Sequence, residues 1–384
     1  MTPRVLFYVQ HLLGVGHVKR AAALARALAA KGAEVTVALG GFPVPLADFG
    51  PARQVQLPPT RTADLSFKIL LDADGRPVDE AWWAARRAGL LALGAQTAPH
   101  VVLTEHFPFG RRVFRTELLP LMDSLAGSAR MVCSVRDVLV AKTDPIKTRK
   151  IADLVLGRFD HVLVHGDEAV IPFEATFPLA GEFRDRIAYT GYVTDAAPAA
   201  APLPDAPEGL RRIVVSTGGG AVGKALLRAA LEAARLPGLP GCHWRLLAGD
   251  NLPAIVFEAL RREAPDHVTV ERARPDFAAL LAAADLSISQ GGYNTVMDVI
   301  GAGCRNLIVP FREEGESEQA FRAACFAKRG LVNLYPDAPV EAAKLAEMAA
   351  AILGSAPPPG ASGLDMNGAA RSAELICEYA KETK

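Results

Sequence analysis

Residues 287–323, SISQGGYNTVMDVIGAGCRNLIVPFREEGESEQAFRA, constrain the fold of this chain more than any other stretch. Leu286 and Ile288 belong to a short apolar run that ends at Gln290, as a buried strand does. Gly291-Gly292 then allows a sharp turn, and a helix is expected from Tyr293 to Ala302, with Gly303 as its C-terminal cap. Residues 307–310 read as the next buried strand. A glycine turn between a strand end and a helix start aims backbone N–H groups at whatever lies there, and an anion such as a diphosphate fits. Asn294 and Asp298 lie one helical turn apart, so the carboxylate can face the same ligand, for instance a ribose diol. An ordinary βαβ turn with a solvated Asp satisfies the same spacing.

The run SQGGYNTVMDVIGAG, followed by VPF, an acidic loop and EQAFRA, resembles the donor-binding half of GT-B glycosyltransferases. Within them it most resembles the MurG-type family, of the glycosyltransferase family 28 C-terminal-domain type. The resemblance covers most of the C-terminal half and the first thirty residues. It implies an α/β chain with two Rossmann-like domains facing a cleft, and a C-terminal helix crossing back to the first domain. It further implies that Gly291, Gly292, Tyr293, Asn294 and Thr295 meet the donor diphosphate and that Asp298 holds the ribose. Glu318 and Gln319 would meet sugar hydroxyls, and the backbone at Arg274, before Pro275, would grip uracil. Asp298 stands where the family has Glu, one methylene longer.

With 384 residues the chain has room for two domains, each with its own core. The 42 basic and 42 acidic side chains cancel, so no uniform field recruits nucleic acid. Between positions 111 and 150 nine Lys/Arg face four acids (Glu117, Asp123, Asp137, Asp144), a surplus that suits a solvated helix face or, alternatively, an anionic acceptor or lipid surface. Cys133, Cys242, Cys304, Cys325 and Cys377 are scattered and form no C-x-x-C, as reduced thiols of a cytoplasmic protein do. No apolar run approaches the roughly 18–20 residues needed to span a bilayer. His11 and Gly14 interrupt the N-terminus before a signal-peptide core forms, so a cytoplasmic location is expected.

Residues 4–9 read as the first strand, 21–31 as an alanine-rich helix capped by Gly32, and 34–39 as a second strand. Gly14-x-Gly16 echoes a dinucleotide fingerprint, but Lys19 occupies the third glycine's place. His17 sits at the helix entrance, as a candidate base or a helix-capping imidazole. The segment GVGHVKR resembles both the glycine-rich loop of MurG-type enzymes and the G-x-G-H-V-x-R of PseG-type nucleotide-sugar hydrolases. Residues 42–75 read as irregular, a candidate acceptor-side region. Asp72-x-Asp74 has the D-x-D spelling of metal-dependent transferases but precedes Gly75-Arg76 with no adjoining strand, which suits a solvated turn. Trp82 and Trp83 open an amphipathic helix as core residues.

Residues 101–104 form a strand whose carboxyl end delivers Glu105, where ligands of open α/β sheets bind. GT-B transferases acting on small acceptors place an Asp in a comparable D-x-F-x-P setting to orient the catalytic His. That resemblance extends the role to Glu105. Further strands are expected at 132–135 and 161–164. Residues 196–207 contain six Ala and four Pro, a semi-rigid linker. The expected layout is 1–197 as an acceptor-binding Rossmann-like domain, 198–208 as linker, 209–358 as a donor-binding domain, and 359–384 as a helix returning to the first domain.

Gly218, Gly219, Gly220 and the following AVGK obey G-x-x-x-x-G-K, but Ala225 stands where a P-loop needs Ser or Thr. Asp285 begins its strand and so makes a poor Walker-B acid. In the GT-B reading Gly14, Gly16 and this loop contact the donor diphosphate, with the loop across the cleft from His17. The expected activity is inverting, metal-independent transfer from a nucleotide sugar, a UDP-sugar, with His17 as base and Glu105 as its support. No cofactor or metal ligand is expected, because the nucleotide sugar is a co-substrate. The acceptor would be a small molecule, a glycan or a lipid-linked glycan, the last with peripheral membrane contact. A nucleotide-sugar hydrolase, with water as acceptor, is the alternative; a non-catalytic nucleotide-sugar-binding subunit, with an idle His17, is another.

Overall fold

The structure is a computed structural model that describes residues 1–12, 16–45, 47–63, 69–140, 144–194, 209–218, 223–250, 252–312, 317–336, 339–361 and 363–382. The chain divides into two compact units, Met1–Val193 with Asn367–Lys384, and Thr194–Met366. The linker expected at 198–208 lies outside the described residues.

In the first unit the strands are β1 (Arg4–Val9), β2 (Glu34–Leu39), β3 (Arg53–Gln56), β4 (Arg61–Thr62), β5 (Leu70–Leu71), β6 (Val101–Glu105), β7 (Arg130–Arg136), β8 (His161–His165) and β9 (Ile187–Tyr189). Its first four helices are α1 (Gly16–Ala30), α2 (Glu80–Thr97), α3 (Arg115–Ser124) and α4 (Pro145–Arg158). Seven strands form one parallel sheet in the order β3-β2-β1-β6-β7-β8-β9, while β4 and β5 pair as a short antiparallel ribbon. Alternation along β1 sets up two cores. Leu6 and Tyr8 pack with Leu90, Leu118 and Phe114 on one face; Val5, Phe7 and Val9 pack with Ala21, Leu24 and Leu28 of α1 on the other.

Two expectations for this unit need correction. Residues 42–75 are not uniformly irregular, since β3 adds a parallel strand beside β2 and β4-β5 form a ribbon. Their strands are too short for period-two alternation to register. Helix α1 begins at Gly16 rather than Ala21, because a glycine and a histidine at the start look like turn residues in isolation. Trp82 and Trp83 are half-buried, with Trp83 packed against the core, and the fully buried residues of that helix are Arg86 and Leu90.

The second unit runs β10 (Arg211–Ser216), α5 (Lys224–Ala234), β11 (Cys242–Ala248), α6 (Ala254–Glu263), β12 (Val268–Arg272), α7 (Phe277–Ala282), β13 (Leu286–Ser289), α8 (Tyr293–Ala302), β14 (Asn306–Ile308), α9 (Glu318–Ala327) and α10 (Ala342–Leu353). Its five strands are parallel in the order β12-β11-β10-β13-β14. Gly303 caps α8 at φ +64°, the left-handed conformation that favours glycine.

The last helix, α11 (Gly368–Tyr379), belongs to the first unit. Its Ala373, Leu375, Ile376 and Tyr379 join the core beneath α1, whose alanines let the two helices approach. Burying a side chain such as Ile376 contributes about 1.5–3 kcal/mol. Tyr379 stacks on His161 with ring centroids 3.6 Å apart, and Lys31 pairs with Glu374 at 2.9 Å. A Cβ on Gly368 would lie 2.5 Å from the Gly191 carbonyl oxygen, so only glycine lets α11 start against that backbone.

In both sheets the strand order reverses beside the first strand of the unit, between β1 and β6 and between β10 and β13. Connections on the two sides of such a point leave in opposite directions, opening a crevice at the carboxyl ends of the strands. His17 follows β1 and Glu105 ends β6. Gly218 follows β10 and Gly291 follows β13.

Candidate functional site

The first crevice is organised around Glu105, fully buried at the carboxyl end of β6. Its Oε1 lies 2.9 Å from His17 Nδ1, in the first turn of α1. Arg20, one turn further along α1, donates to the same oxygen and lies 3.3 Å from His17 Nδ1. Glu105 Oε2 accepts a hydrogen bond from Ser134 Oγ at 2.8 Å, across the β6-β7 pair. With Nδ1 turned to the carboxylate, His17 has Nε2 as its base atom.

The His17 imidazole is 13% exposed. Glu105 alone would favour its protonated form. Burial and the guanidinium groups of Arg111, Arg20 and Arg136 prevail, and hold its pKa well below the ordinary 6.5. A neutral imidazole at physiological pH is what a general base requires.

The loop after β6 supports this arrangement from below. Phe107 and Phe109 are buried, and Phe109 stands edge-on to Phe173 and Phe177 with centroids 5.1 Å away in both cases. His106 sits at φ +68°, unusual for a residue with a side chain, and its ring lies 5.0 Å from that of His17. A Cβ on Gly110 would lie 2.2 Å from the His106 ring, so glycine is needed there. Arg111 donates from Nε to the Gln10 carbonyl at 3.1 Å. Burial and the neighbouring Arg136 push the Arg111 pKa down to about 10.

The second crevice is built from the loops after β10 and β13. Gly218 takes φ +66°, and the position of a Cβ on it would be 3.6 Å from Thr295 Oγ1, so the two loops meet at the start of α8. Neither Gly291 nor Gly292 adopts a left-handed conformation, contrary to the expected reason for glycine there. Gly291 is instead a close approach, since a Cβ would stand 3.1 Å from the Gln319 carbonyl oxygen and 3.4 Å from Ile308. Gly292 occupies the N-cap of α8 and supplies no side chain to cap it, which leaves the helix's first turn suited to an anion. Asn294, Thr295 and Asp298 are half-buried there, with Asn294 and Asp298 one turn apart.

Helix α9 closes the other side. Glu318 is buried, and Arg322 Nη2 donates to its carboxylate at 2.9 Å. The same guanidinium reaches the Gly291 carbonyl at 3.4 Å and lies 5.4 Å from the centre of the Tyr293 ring. Gln319 accepts from the Phe311 N–H at 3.1 Å. These contacts hold α9 against the glycine turn. Arg274 follows β12, the edge strand two places from β10, and its side chain is held by Asp276 at 2.8 and 2.7 Å and by Glu271 at 3.3 Å.

The structure thus brings His17 and Glu105 together in one unit. In the other it gathers Gly218, Gly291, Gly292, Tyr293, Asn294, Thr295, Asp298, Glu318 and Gln319 around the start of α8. Gly16 is the first residue of α1. Gly14, Gly219 and Gly220 lie outside the described residues. Asp72 accepts from the backbone N–H groups of Asp74 and Arg76, forming the turn expected of that D-x-D. Asp285 accepts from the Arg212 N–H at the amino edge of the sheet, away from the crevice.

Arg20, Ser134, His165 and Arg111 were not anticipated as site residues. Arg20 alone carried a signal, as the last residue of GVGHVKR and three positions from His17.

Residues 213–359 match the glycosyltransferase family 28 C-terminal domain. A stretch of 98 residues is 31% identical to a UDP-N-acetylglucosamine--N-acetylmuramyl-(pentapeptide) pyrophosphoryl-undecaprenol N-acetylglucosamine transferase of Rubrobacter xylanophilus. That stretch spans 26% of this chain and 29% of that protein. Among solved structures the chain is similar to Acinetobacter baumannii MurG, with TM-score 0.60 and 17% identity over 98% of this chain and 99% of that one. It is also similar to a putative UDP-N-acetylglucosamine 2-epimerase from Listeria monocytogenes, with TM-score 0.64 and 12% identity over 100% and 98% of the two chains. The fold is therefore that of the GT-B glycosyltransferases. At these identities the likeness to solved structures concerns fold alone, and the epimerase shows that one fold carries more than one chemistry. The family domain at 213–359 is what points to a glycosyltransferase.

Proposed function

We propose that this chain is an inverting, metal-independent glycosyltransferase that moves a sugar from a nucleotide-sugar donor, a UDP-sugar, to an acceptor hydroxyl. The observation that carries the proposal is the His17 imidazole held through Nδ1 by Glu105 at 2.9 Å, with Nε2 as its remaining ring nitrogen. In the proposed step His17 Nε2 takes the proton of the acceptor hydroxyl as its oxygen bonds to the anomeric carbon from the face opposite the diphosphate. The anomeric C–O bond breaks with its electron pair on the leaving nucleoside diphosphate, whose charge the start of α8 stabilises. A UDP donor is supported by the relative from Rubrobacter xylanophilus, whose name gives UDP-N-acetylglucosamine as its donor. The acceptor is a small molecule, a glycan or a lipid-linked glycan. Among the described residues no helix is long and apolar enough to cross a membrane, so a lipid-linked acceptor would be met by peripheral contact.

Asp298 tests the donor half. Asp298→Ala is expected to weaken UDP binding by about 1–3 kcal/mol, the worth of a charge-assisted hydrogen bond to a ribose hydroxyl. Calorimetry on the folded variant checks this, and an unchanged affinity removes Asp298 from the site.

Metal independence is tested separately by UDP release from UDP-N-acetylglucosamine in the presence of a panel of sugar and alcohol acceptors. Rates in excess EDTA are expected to match those in magnesium or manganese. Loss of activity with the chelator would overturn this part of the proposal.

A further inference from the structure

Behind Glu105 the hydrogen bonds continue through groups that the proposed chemistry has not used. Ser134 Oγ stands 2.8 Å from Glu105 Oε2 and 2.8 Å from His165 Nε2, and His165 Nδ1 stands 2.9 Å from Thr190 Oγ1. Glu105, Ser134, His165 and Thr190 are all fully buried, on or just after the neighbouring strands β6, β7, β8 and β9. Buried polar groups with their partners in place permit few arrangements of their hydrogens, and along these contacts two orders stand out.

A serine hydroxyl has one hydrogen. If it points to Glu105, His165 must donate from Nε2 to Ser134, and Nδ1 must accept from the Thr190 hydroxyl. If it points to His165 Nε2, the order reverses: His165 donates from Nδ1 to Thr190, and Thr190 donates to the Gly191 carbonyl 3.0 Å away. In that second order Ser134 presents only lone pairs to Glu105, which then has to be protonated.

Arg20 decides between them. Its guanidinium, itself buried, donates directly to Glu105, and a buried cation loses far more from neutralisation of its partner than the Gly191 carbonyl loses from one neutral donor. Hydrogen bonds to charged groups are worth about 1.5–3 kcal/mol against about 0.5–1.5 for neutral ones. The first order therefore prevails. Burial pushes the His165 pKa down to about 3, so its ring carries a single hydrogen, as this order requires.

We propose that Thr190, His165 and Ser134 form a one-directional hydrogen-bond chain, each donating to the next and ending on Glu105, with Ser134 and His165 acting as positioning residues for His17. The chain gives Glu105 Oε2 a donor and keeps the carboxylate an acceptor. His17 must then present Nδ1–H to Oε1 and keep its Nε2 lone pair for the acceptor. The inference rests on His17 as the base for its catalytic meaning, but not for its geometry.

The test is proton-detected nitrogen correlation spectroscopy of the full chain labelled with ¹⁵N-histidine, with His17 and His165 assigned from His17→Ala and His165→Gln. In the wild type His165 is expected as a pure Nε2–H tautomer and His17 as Nδ1–H. In Ser134→Ala the donor to Glu105 Oε2 is gone and the carboxylate is freer to turn, so His17 is expected to show mixed tautomers. Turnover, read as UDP release from UDP-N-acetylglucosamine, is expected to fall about 2–10-fold with KM unchanged, the worth of one net hydrogen bond. Ser134→Thr, which keeps the hydroxyl, is expected to retain both. An Nδ1–H tautomer at His165 in the wild type overturns the proposal, and so does a His17 spectrum that Ser134→Ala leaves untouched. The wild-type spectrum decides even if a variant fails to fold. Because it needs no turnover, a normally active His17→Ala would remove the base and leave the chain standing.

Discussion

Turnover is expected to fall by about 10²–10⁴-fold in His17→Ala, the usual contribution of a general base. UDP affinity should be unchanged, because the expected donor contacts lie around α8. The structure adds a pH signature. Since burial and Arg111, Arg20 and Arg136 hold the His17 pKa below 6.5, the base stays neutral as pH falls to that value. Activity is lost only as pH drops through the depressed pKa, so the acid limb of kcat/KM should lie below pH 6.5. Glu105→Gln should cost less than His17→Ala, since it leaves the base in place. It also leaves buried Arg20 facing a neutral amide, so folding of that variant has to be checked alongside rate. The double variant should turn over little more slowly than His17→Ala, as groups acting as a unit do. Multiplying losses would assign Glu105 a separate role, and normal turnover of His17→Ala would reduce His17 to a helix cap.

The largest stability effect is expected at Arg86, a fully buried cation on α2. All five of its N–H donors have acceptors. Nε reaches Glu117 at 2.7 Å; Nη1 reaches the carbonyls of Gly40 at 2.9 Å and Pro58 at 2.6 Å; Nη2 reaches Tyr8 Oη at 3.1 Å and Gln10 Oε1 at 2.5 Å. Tyr8 in turn donates to Glu117, and burial followed by that carboxylate raises the tyrosine pKa. Arg86→Met keeps the volume but strands a buried carboxylate, a change that costs about 3–5 kcal/mol. Urea unfolding followed through Trp82 and Trp83 would report it from the unit that contains Arg86. Adding Glu117→Gln should recover part of the loss, because the stranded charge is then gone. A loss below about 1 kcal/mol would mean that water or a shifted side chain reaches Glu117. Gln10 links this network to the site, since its carbonyl holds Arg111.

Much of the candidate site was legible because its parts are local. A strand, a glycine pair and a helix at 286–302 follow from apolar runs and capping residues, and α8 with its Gly303 cap appears there. Glu105 was placed at a strand end and His17 at a helix entrance by the same reasoning. The reason for Gly291 was not legible. It answers to Gln319 on another helix rather than to its own backbone angles, and no local pattern records such a contact.

Arg86, Arg20 and His165 mark the limit more sharply. A lone arginine in a helix, or a histidine closing an apolar strand, reads as solvent-facing because charge and polarity ordinarily go outward. Each is buried here because a partner from a distant segment meets it: Glu117 for Arg86, Glu105 for Arg20, Ser134 and Thr190 for His165.

By itself the sequence determined the longer strands and several of the helices, their order, and the strand ends that carry candidate chemistry, since periodicity and capping act within a few residues. The partnership of His17 with Glu105 was expected from the family resemblance, and only the tertiary structure gives its physical cause. His17 and Glu105 are 88 positions apart, and they become partners because β1 and β6 pair in register, Val5 with Val101 and Tyr8 with Thr104. That pairing was selected by burial of both faces of the sheet at once, a sum over the whole unit that no short window contains.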